Sequence, residues 1–446
     1  MKTVITYGVF DLFHNGHERL LERAKQLGDR LVVGVTTDQY AIERGKLCVV
    51  DSLQTRMEHV RSCPWVDEVI VEDHPGQKAE DIRRYHADIL AMGDDWLGKF
   101  DVLESLCQVV YLPRTPNISS SVLRNSRFPF LRVGMIGAGR IADRFVKEAG
   151  FVHGLQIACV FHPRPDSSAS LQRFLASHTS IIKVRTLEKL FDQTDAVYIA
   201  TPHGSHYSYA KAALVAGKHV LCEKPLCFSR AQAEELFAIA EKNGLVLMEA
   251  VKTAYCPGFL RLCAVAQSGF IGEIVNVESC FTRLTPPGCR EWNDYQHGGS
   301  FTELGSYILL PIVKLLGTED ASVMFQSVRN ENGLDLFTKV LVQRDGHLAA
   351  GKCGLGAKAE GDLVISGTRG YLYAEAPWWK THYFELRGED PAYKKRFACE
   401  YEGDGLRYEI ADFLYRIQGY PGRDMRLTPE ESIWMAGVME QFLETR

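Results

Sequence analysis

The stretch 131–142 reads Leu-Arg-Val-Gly-Met-Ile-Gly-Ala-Gly-Arg-Ile-Ala. The apolar run 133–136 predicts a buried parallel strand. Gly137, Gly139 and Ala142 follow it in G-x-G-x-x-A spacing. Gly137 makes a tight turn, Gly139 lets backbone approach a pyrophosphate, and Ala142 lets a helix pack close to the strand. The free N–H groups and dipole of the helix start favour the pyrophosphate, so Arg140 and Ile141 join the glycines as cofactor-site candidates. A dinucleotide-binding domain of this kind starts within a few residues of its first strand. Everything before 129 is therefore expected to be a separate domain.

A chain of 446 residues has room for two or three domains. Its net charge of -5 argues against nucleic acid as a partner. The 12 cysteines are scattered singly with no C-x-x-C pair, which predicts reduced thiols and no metal site. No apolar run approaches the roughly 20 residues that span a bilayer, and the N-terminus carries no leader pattern. The expectation is a cytoplasmic protein with no membrane segment.

Residues 1–128 open as a βαβ unit. Strand 4–7 is followed by Gly-Val-Phe-Asp-Leu-Phe-His-Asn-Gly-His over 8–17, a helix predicted over 18–27, and a strand over 31–35. His14 and His17, three apart at a helix start, face the same way. Gly16 leaves room for a ligand. Two imidazoles there suit a triphosphate under attack at its α-phosphorus, because they can donate to the charge that builds on its oxygens.

This H-x-G-H stretch resembles the glycerol-3-phosphate cytidylyltransferase family of nucleotidyltransferases. The helix 20–29, the segment Met92-Gly93-Asp94-Asp95-Trp96, and Arg114-Thr115-Pro116-Asn117-Ile118-Ser119-Ser120-Ser121 extend the likeness over nearly all of 1–127. The resemblance implies that Val9, Phe10, His14, Gly16, His17, Lys46, Arg114, Thr115, Ile118, Ser119, Ser120 and Ser121 hold CTP. It also implies that Arg44 and Lys78 meet the acceptor phosphate and that Mg²⁺ accompanies CTP. Asn117 replaces a signature glycine, Arg44 a lysine, and Pro64 an arginine for which Arg61 is a substitute.

Residues 129–250 form the dinucleotide domain. The second strand, 156–161, ends in His162-Pro163-Arg164 instead of the acid that binds the ribose of NAD. Arg164 leans the choice towards NADP(H), with NAD(H) still open and a solvated Arg164 as the plain alternative. Strand 195–200 leads to Thr201-Pro202-His203-Gly204-Ser205-His206, and strand 219–222 to Glu223-Lys224-Pro225. These motifs, in this order, resemble the glucose–fructose oxidoreductase/inositol dehydrogenase/rhizopine-catabolism family. The resemblance places Thr201, Pro202, His206, Glu223 and Lys224, with His162 and Arg164, around the cofactor.

Residues 251–446 change period. A helix over 259–268 precedes strands near 272–278, 340–342, 348–350, 363–365 and 370–373, which predict an open, mainly antiparallel sheet in an α+β domain. Helices over 408–417 and 429–443 close the chain. The motif 298–307 is similar to the family's G-G-x-x-x-D-x-G-x-[HY], with Glu303 in the acid's place and Tyr307 at the acid/base position. Residues four apart share a helix face, so both reach one cleft. The open sheet, with Trp378 and Trp379 beside it, suits a dimer or tetramer surface; ordinary sheet packing is the plain alternative for the tryptophan pair.

The expected fold class is thus α/β: a Rossmann-like nucleotidyltransferase domain, a Rossmann domain and an α+β domain. The expected function is bifunctional. The first domain transfers cytidylyl from CTP to glycerol phosphate or another alditol phosphate. The second reduces a ketose, keto-triose or its phosphate, with Tyr307 carrying the proton and Lys224 lowering its pKa. The CDP-alditol would feed teichoic-acid-like or capsular polymers. Competing readings are a dehydrogenase-like domain kept for binding, an adenylyltransferase, and a nucleotide sensor.

Overall fold

The structure is a computed structural model. It describes residues 2–43, 49, 51–74, 76–113, 130–164, 166–319, 321–390, 392–419 and 426–446. The chain divides into two compact units: Met1–Phe130 with Val152–Gly154, and Leu131–Phe151 with Leu155–Arg446.

In the first unit β1 (Thr3–Gly8), β2 (Arg30–Thr36), β3 (Glu68–Glu72), β4 (Ile89–Gly93) and β5 (Gln108–Leu112) form a sheet in the order β3-β2-β1-β4-β5. All its pairings are parallel. Its strands read as apolar runs because helices cover both faces. Leu21, Ala24 and Val33 pack on one side, and Ile5, Val32 and Leu90 on the other. The order reverses between β1 and β4. In open parallel sheets that is where the carboxyl ends leave a crevice for a ligand, and the 8–17 loop leaves β1 there. The first helix runs Asn15–Lys25, starting three residues earlier than its apolar pattern suggests, because the His14 side chain caps it by accepting from Gly16 N–H.

In the second unit β6 (Leu131–Ile136), β7 (Leu155–Phe161), β8 (Ile182–Val184), β9 (Ala196–Ile199), β10 (His219–Glu223) and β11 (Leu247–Ala250) make a parallel sheet ordered β11-β10-β9-β6-β7-β8. Its switch point lies between β6 and β9, so the glycine turn after β6 and Thr201 after β9 flank one crevice.

The third sheet contains β12 (Ile274–Thr282), β13 (Ser322–Arg329), β14 (Asp335–Arg344), β15 (His347–Gly354), β16 (Leu363–Gly367), β17 (Gly370–Ala374), β18 (Tyr383–Arg387) and β19 (Lys394–Ala398). Their order is β13-β14-β15-β12-β16-β17-β18-β19. Only β12 and β15 pair in parallel; the other pairs are antiparallel. The Ser300–Leu316 helix packs on β12, β14 and β15, burying Phe301, Ile308 and Leu309. Strands β13, β18 and β19 go beyond those expected from the sequence. Trp378 takes the plain alternative: it is fully buried and its indole N–H donates to the Cys280 carbonyl at 2.8 Å. Trp379 stacks on Phe281 with ring centroids 3.6 Å apart. All the described cysteines are free. No helix among the described residues is long and apolar enough to cross a membrane.

Candidate active sites

The 8–17 loop is held in an unusual shape. Phe10 and Leu12 have φ of 52° and 49°, a region that non-glycine residues rarely occupy and that surrounding contacts must enforce. Those contacts come from Arg56, which is fully buried on the Leu53–Ser62 helix. Its guanidinium donates to the carbonyls of Val9 at 2.6 Å, Thr36 at 2.8 Å and Asp51 at 3.0 Å, and pairs with Asp38. Asp11 and Asp51 complete the brace: Asp51 N–H donates to Asp11 at 3.0 Å, and Leu12 N–H to Asp51 at 3.1 Å. Sequence reasoning passed over Arg56, whose only local signal is a charge among the buried positions of its helix.

The His14 and His17 rings stack, with centroids 3.9 Å apart and planes at 16°. Burial holds His14 below the ordinary histidine value, so it is neutral at neutral pH. Because His14 Nδ1 accepts from Gly16 N–H at 2.9 Å, its proton sits on Nε2, where it is a donor. Phe10 and Phe13 flank His17 at 5.4 and 5.6 Å. Lys78 is buried, ion-paired with Glu72, and lies 4.5 Å from the Tyr7 ring. It is therefore neutralised within the protein, and a role on an acceptor phosphate requires it to share its charge with Glu72. Arg44, Lys46, Arg114, Thr115, Ile118, Ser119, Ser120 and Ser121 lie outside the described residues.

The dinucleotide crevice fits its ligand. Gly137 has φ of 104°, and a Cβ there would fall 2.5 Å from the Ala200 carbonyl oxygen. A Cβ on Gly139 would meet nothing within 4 Å, leaving open space over the start of the Arg140–Ala149 helix, which no side chain caps. Its amides are free for a phosphate. Arg164 is exposed, while His162 Nδ1 accepts from Arg164 N–H at 3.1 Å and Nε2 lies 3.2 Å from Ser168. Arg140 is paired with Glu291 at 3.2 Å and is otherwise exposed. One expectation changes. His206 is fully buried between the carbonyls of Pro225 at 2.8 Å and Thr201 at 2.9 Å. Burial lowers its pKa to about 4, so it ties two turns of the crevice together instead of presenting its ring to a cofactor.

Lys224 and Tyr307 do meet. Lys224 Nζ is 5.8 Å from the Tyr307 ring centroid. It donates to the Glu303 carbonyl at 2.7 Å and lies 3.5 Å from the Glu303 carboxylate. Glu223, from the same turn, accepts from Tyr198 OH at 2.6 Å. The expectation that Lys224 lowers the Tyr307 pKa is corrected. Burial, followed by the charges of Glu223, Glu409 and Glu303, drives Tyr307 well above the ordinary tyrosine value. The Lys224 ammonium is engaged by Glu303, so Tyr307 is a neutral phenol.

Three residues outside the set expected for this cleft surround Glu303. His203 Nε2 lies 3.4 Å and Arg290 3.3 Å from its carboxylate, and Arg283 3.8 Å. Arg283 also reaches Glu291, at 3.6 Å. His297 stacks on Phe228 nearby. Burial, with Lys224 and Arg290 next in strength, pushes His203 well below the ordinary histidine value, so it is neutral.

Comparison with known proteins identifies the families of both units. Residues 5–126 match the family described as cytidylyltransferase-like. Residues 131–251 match an oxidoreductase family with an NAD-binding Rossmann fold, and 259–373 the GFO/IDH/MocA C-terminal domain. The glycerol-3-phosphate cytidylyltransferase of Bacillus subtilis is 50% identical over 124 residues, 28% of this chain and 95% of that protein. The trans-1,2-dihydrobenzene-1,2-diol dehydrogenase of Bos taurus is 28% identical over 321 residues, 70% of this chain and 95% of that one. A solved 3-ketoreductase from Actinomadura kijaniata, in complex with NADP and TDP-benzene, superposes with a TM-score of 0.59 at 25% identity, covering 70% of this chain and 96% of its own. The chain belongs to the cytidylyltransferase-like family through its first unit and to the GFO/IDH/MocA oxidoreductase family through its second, and is a fused cytidylyltransferase and NAD(P)-dependent oxidoreductase.

Proposed function

We propose that the two activities make a CDP-alditol. The second unit reduces a ketose or keto-triose, free or phosphorylated, to the polyol. The first joins an alditol phosphate to CTP and releases pyrophosphate. The observation that carries this reading is the pairing, in one chain, of a first unit 50% identical to a glycerol-3-phosphate cytidylyltransferase with a ketoreductase-like cleft holding Lys224 beside Tyr307.

In the first site the acceptor's phosphate oxygen attacks the α-phosphorus of CTP. His14 Nε2–H and His17 donate to the charge that develops on its oxygens, at positions fixed by the Arg56 brace. Mg²⁺ would accompany the triphosphate. In the second, bound NADPH supplies a hydride to the carbonyl carbon. Lys224 orients the carbonyl oxygen, and Tyr307, a neutral phenol, gives it a proton. The raised Tyr307 pKa keeps the phenol protonated at neutral pH. Arg164 favours NADPH through its 2′-phosphate. The product would supply alditol phosphate polymers of the cell envelope.

Incubating the protein with CTP, NADPH and a panel of ketoses and their phosphates, then weighing the nucleotide product, tests this. The expected mass is that of a CDP-alditol made with stoichiometric NADPH oxidation. CTP turnover with no nicotinamide oxidation on any ketone would overturn it.

A further inference from the structure

The cleft around Glu303 holds more positive than negative charge. Four cations, Lys224, Arg283, Arg290 and Arg140, converge on two carboxylates, Glu303 and Glu291. Counting Glu223, which accepts from Tyr198 OH, as a third carboxylate still leaves one cation in excess. Arg140, at the start of the helix that receives the cofactor pyrophosphate, is on the cofactor side. Arg283 follows β12 and Arg290 opens the Arg290–Asn293 helix, so both come from the substrate domain.

Two buried polar atoms beside Glu303 lack hydrogen-bond partners among the described residues, Arg290 Nη1 and His203 Nδ1. A buried polar atom left without a partner is costly, so each marks a place where a ligand atom belongs. Their chemistry differs. Arg290 can only donate. Neutral His203 faces the Glu303 carboxylate through Nε2 at 3.4 Å, which places its proton there and leaves Nδ1 a lone pair that accepts. The cleft thus offers an arginine pair for an anion and, beside Lys224, an acceptor for a hydroxyl.

We infer that the oxidoreductase site takes a phosphorylated polyhydroxy ketone, its phosphate held by Arg283 and Arg290 and a chain hydroxyl by His203. This rests on the ketone-reducing reading above and sharpens it. A C–H bond forms from the nicotinamide hydride, the C=O π bond breaks, its oxygen takes the Tyr307 proton, and the nicotinamide is oxidised. The phosphate is untouched, so the product leaves as an alditol phosphate, the class of acceptor that the first unit consumes. Reduction precedes cytidylyl transfer, and no kinase is needed between them.

The test compares kcat/KM for NADPH oxidation by the full chain with dihydroxyacetone phosphate against dihydroxyacetone, and with a ketopentose 5-phosphate against the free ketopentose. The phosphorylated member should win by roughly a hundredfold or more in at least one pair, since Arg290 Nη1 has no other partner among the described residues and Arg283 adds a second charge-assisted contact (roughly 10–100-fold each). Arg290→Met and Arg283→Met should each shrink that ratio about tenfold or more. Arg290→Lys, which keeps the charge and guards against a misfolded methionine variant, should fall between. Equal kcat/KM within both pairs, or arginine variants that slow both members alike, would overturn the inference while leaving ketone reduction standing. If no ketone oxidises NADPH, the ketone-reducing reading itself fails. The phosphate site is then judged by NADPH fluorescence, which reports on the second unit alone. Glycerol 3-phosphate, but not glycerol, should perturb it in the wild type and much less in Arg290→Met; identical responses overturn the phosphate site too.

Discussion

A single residue sets the behaviour of each site. His17 is stacked on His14 and flanked by Phe10 and Phe13, contacts that would hold it as the preorganised donor proposed above. His17→Ala should lower cytidylyl transfer about 10²–10³-fold, as loss of one such donor does, while NADPH oxidation persists; parallel loss of both in a folded variant would refute two separate sites. Tyr307 carries the pH dependence of the other site. Its pKa is raised, so its proton is retained as pH rises past the ordinary tyrosine value. The alkaline limb of the reduction profile should therefore lie above about 10, and an earlier limb would mean another group donates. Tyr307→Phe and Lys224→Met should each abolish most reduction, and the double variant should be little worse than either, because groups acting on one oxygen are not additive. Multiplicative losses would show them to be independent.

At the scale of elements, the second unit depends on contacts between helices far apart in sequence. Arg407, on the Leu406–Ile417 helix, reaches Glu148, on the Arg140–Ala149 helix, through Nε at 3.1 Å and Nη2 at 2.9 Å. Both side chains are buried. The pair anchors a C-terminal helix to the helix that receives the pyrophosphate. Breaking one half strands the other charge, so Arg407→Ala should cost about 3–5 kcal/mol in denaturant unfolding of the second unit. Arg407→Met with Glu148→Leu should recover much of that loss. A single variant within ~0.5 kcal/mol of wild type would show the pair to be solvated. The Ser300–Leu316 helix does the other structural work, setting Glu303 and Tyr307 one turn apart while its far side packs on the third sheet.

At the scale of the whole molecule, the first unit carries one sheet and the second carries two, and each has its own candidate residues for chemistry. The two activities should then be separable by mixing. His17→Ala protein combined with Lys224→Met protein should form CDP-alditol from CTP, NADPH and the ketone substrate, which neither forms alone. Product mass in the three reactions checks this. A mixture as inactive as its components would mean that the intermediate cannot leave the chain that makes it.

Short motifs were readable from the sequence because each encodes a local backbone requirement. The Gly137 turn, the H-x-G-H helix start, the Glu223-Lys224-Pro225 strand end and the one-turn spacing of Glu303 and Tyr307 each involve only a few consecutive residues. Apolar runs were likewise enough for the inner strands of two parallel sheets and much of a mainly antiparallel one, though not for β3, β5, β8, β18 and β19 or for the weakly patterned β13, whose residues alternate only between exposed and half-buried. Tertiary structure alone decided the electrostatics. Lys224 meets Glu303 across 79 residues and Arg140 meets Glu291 across 151; Arg290 joins them from beside Glu291, and Arg283 and His203 from two further segments. Arg56 reaches the nucleotide loop from 47 residues beyond Val9, and Lys78 is buried on Glu72. Whether Tyr307 is a phenol or a phenolate depends on the summed burial and charge of such distant neighbours, which no spacing along the chain records.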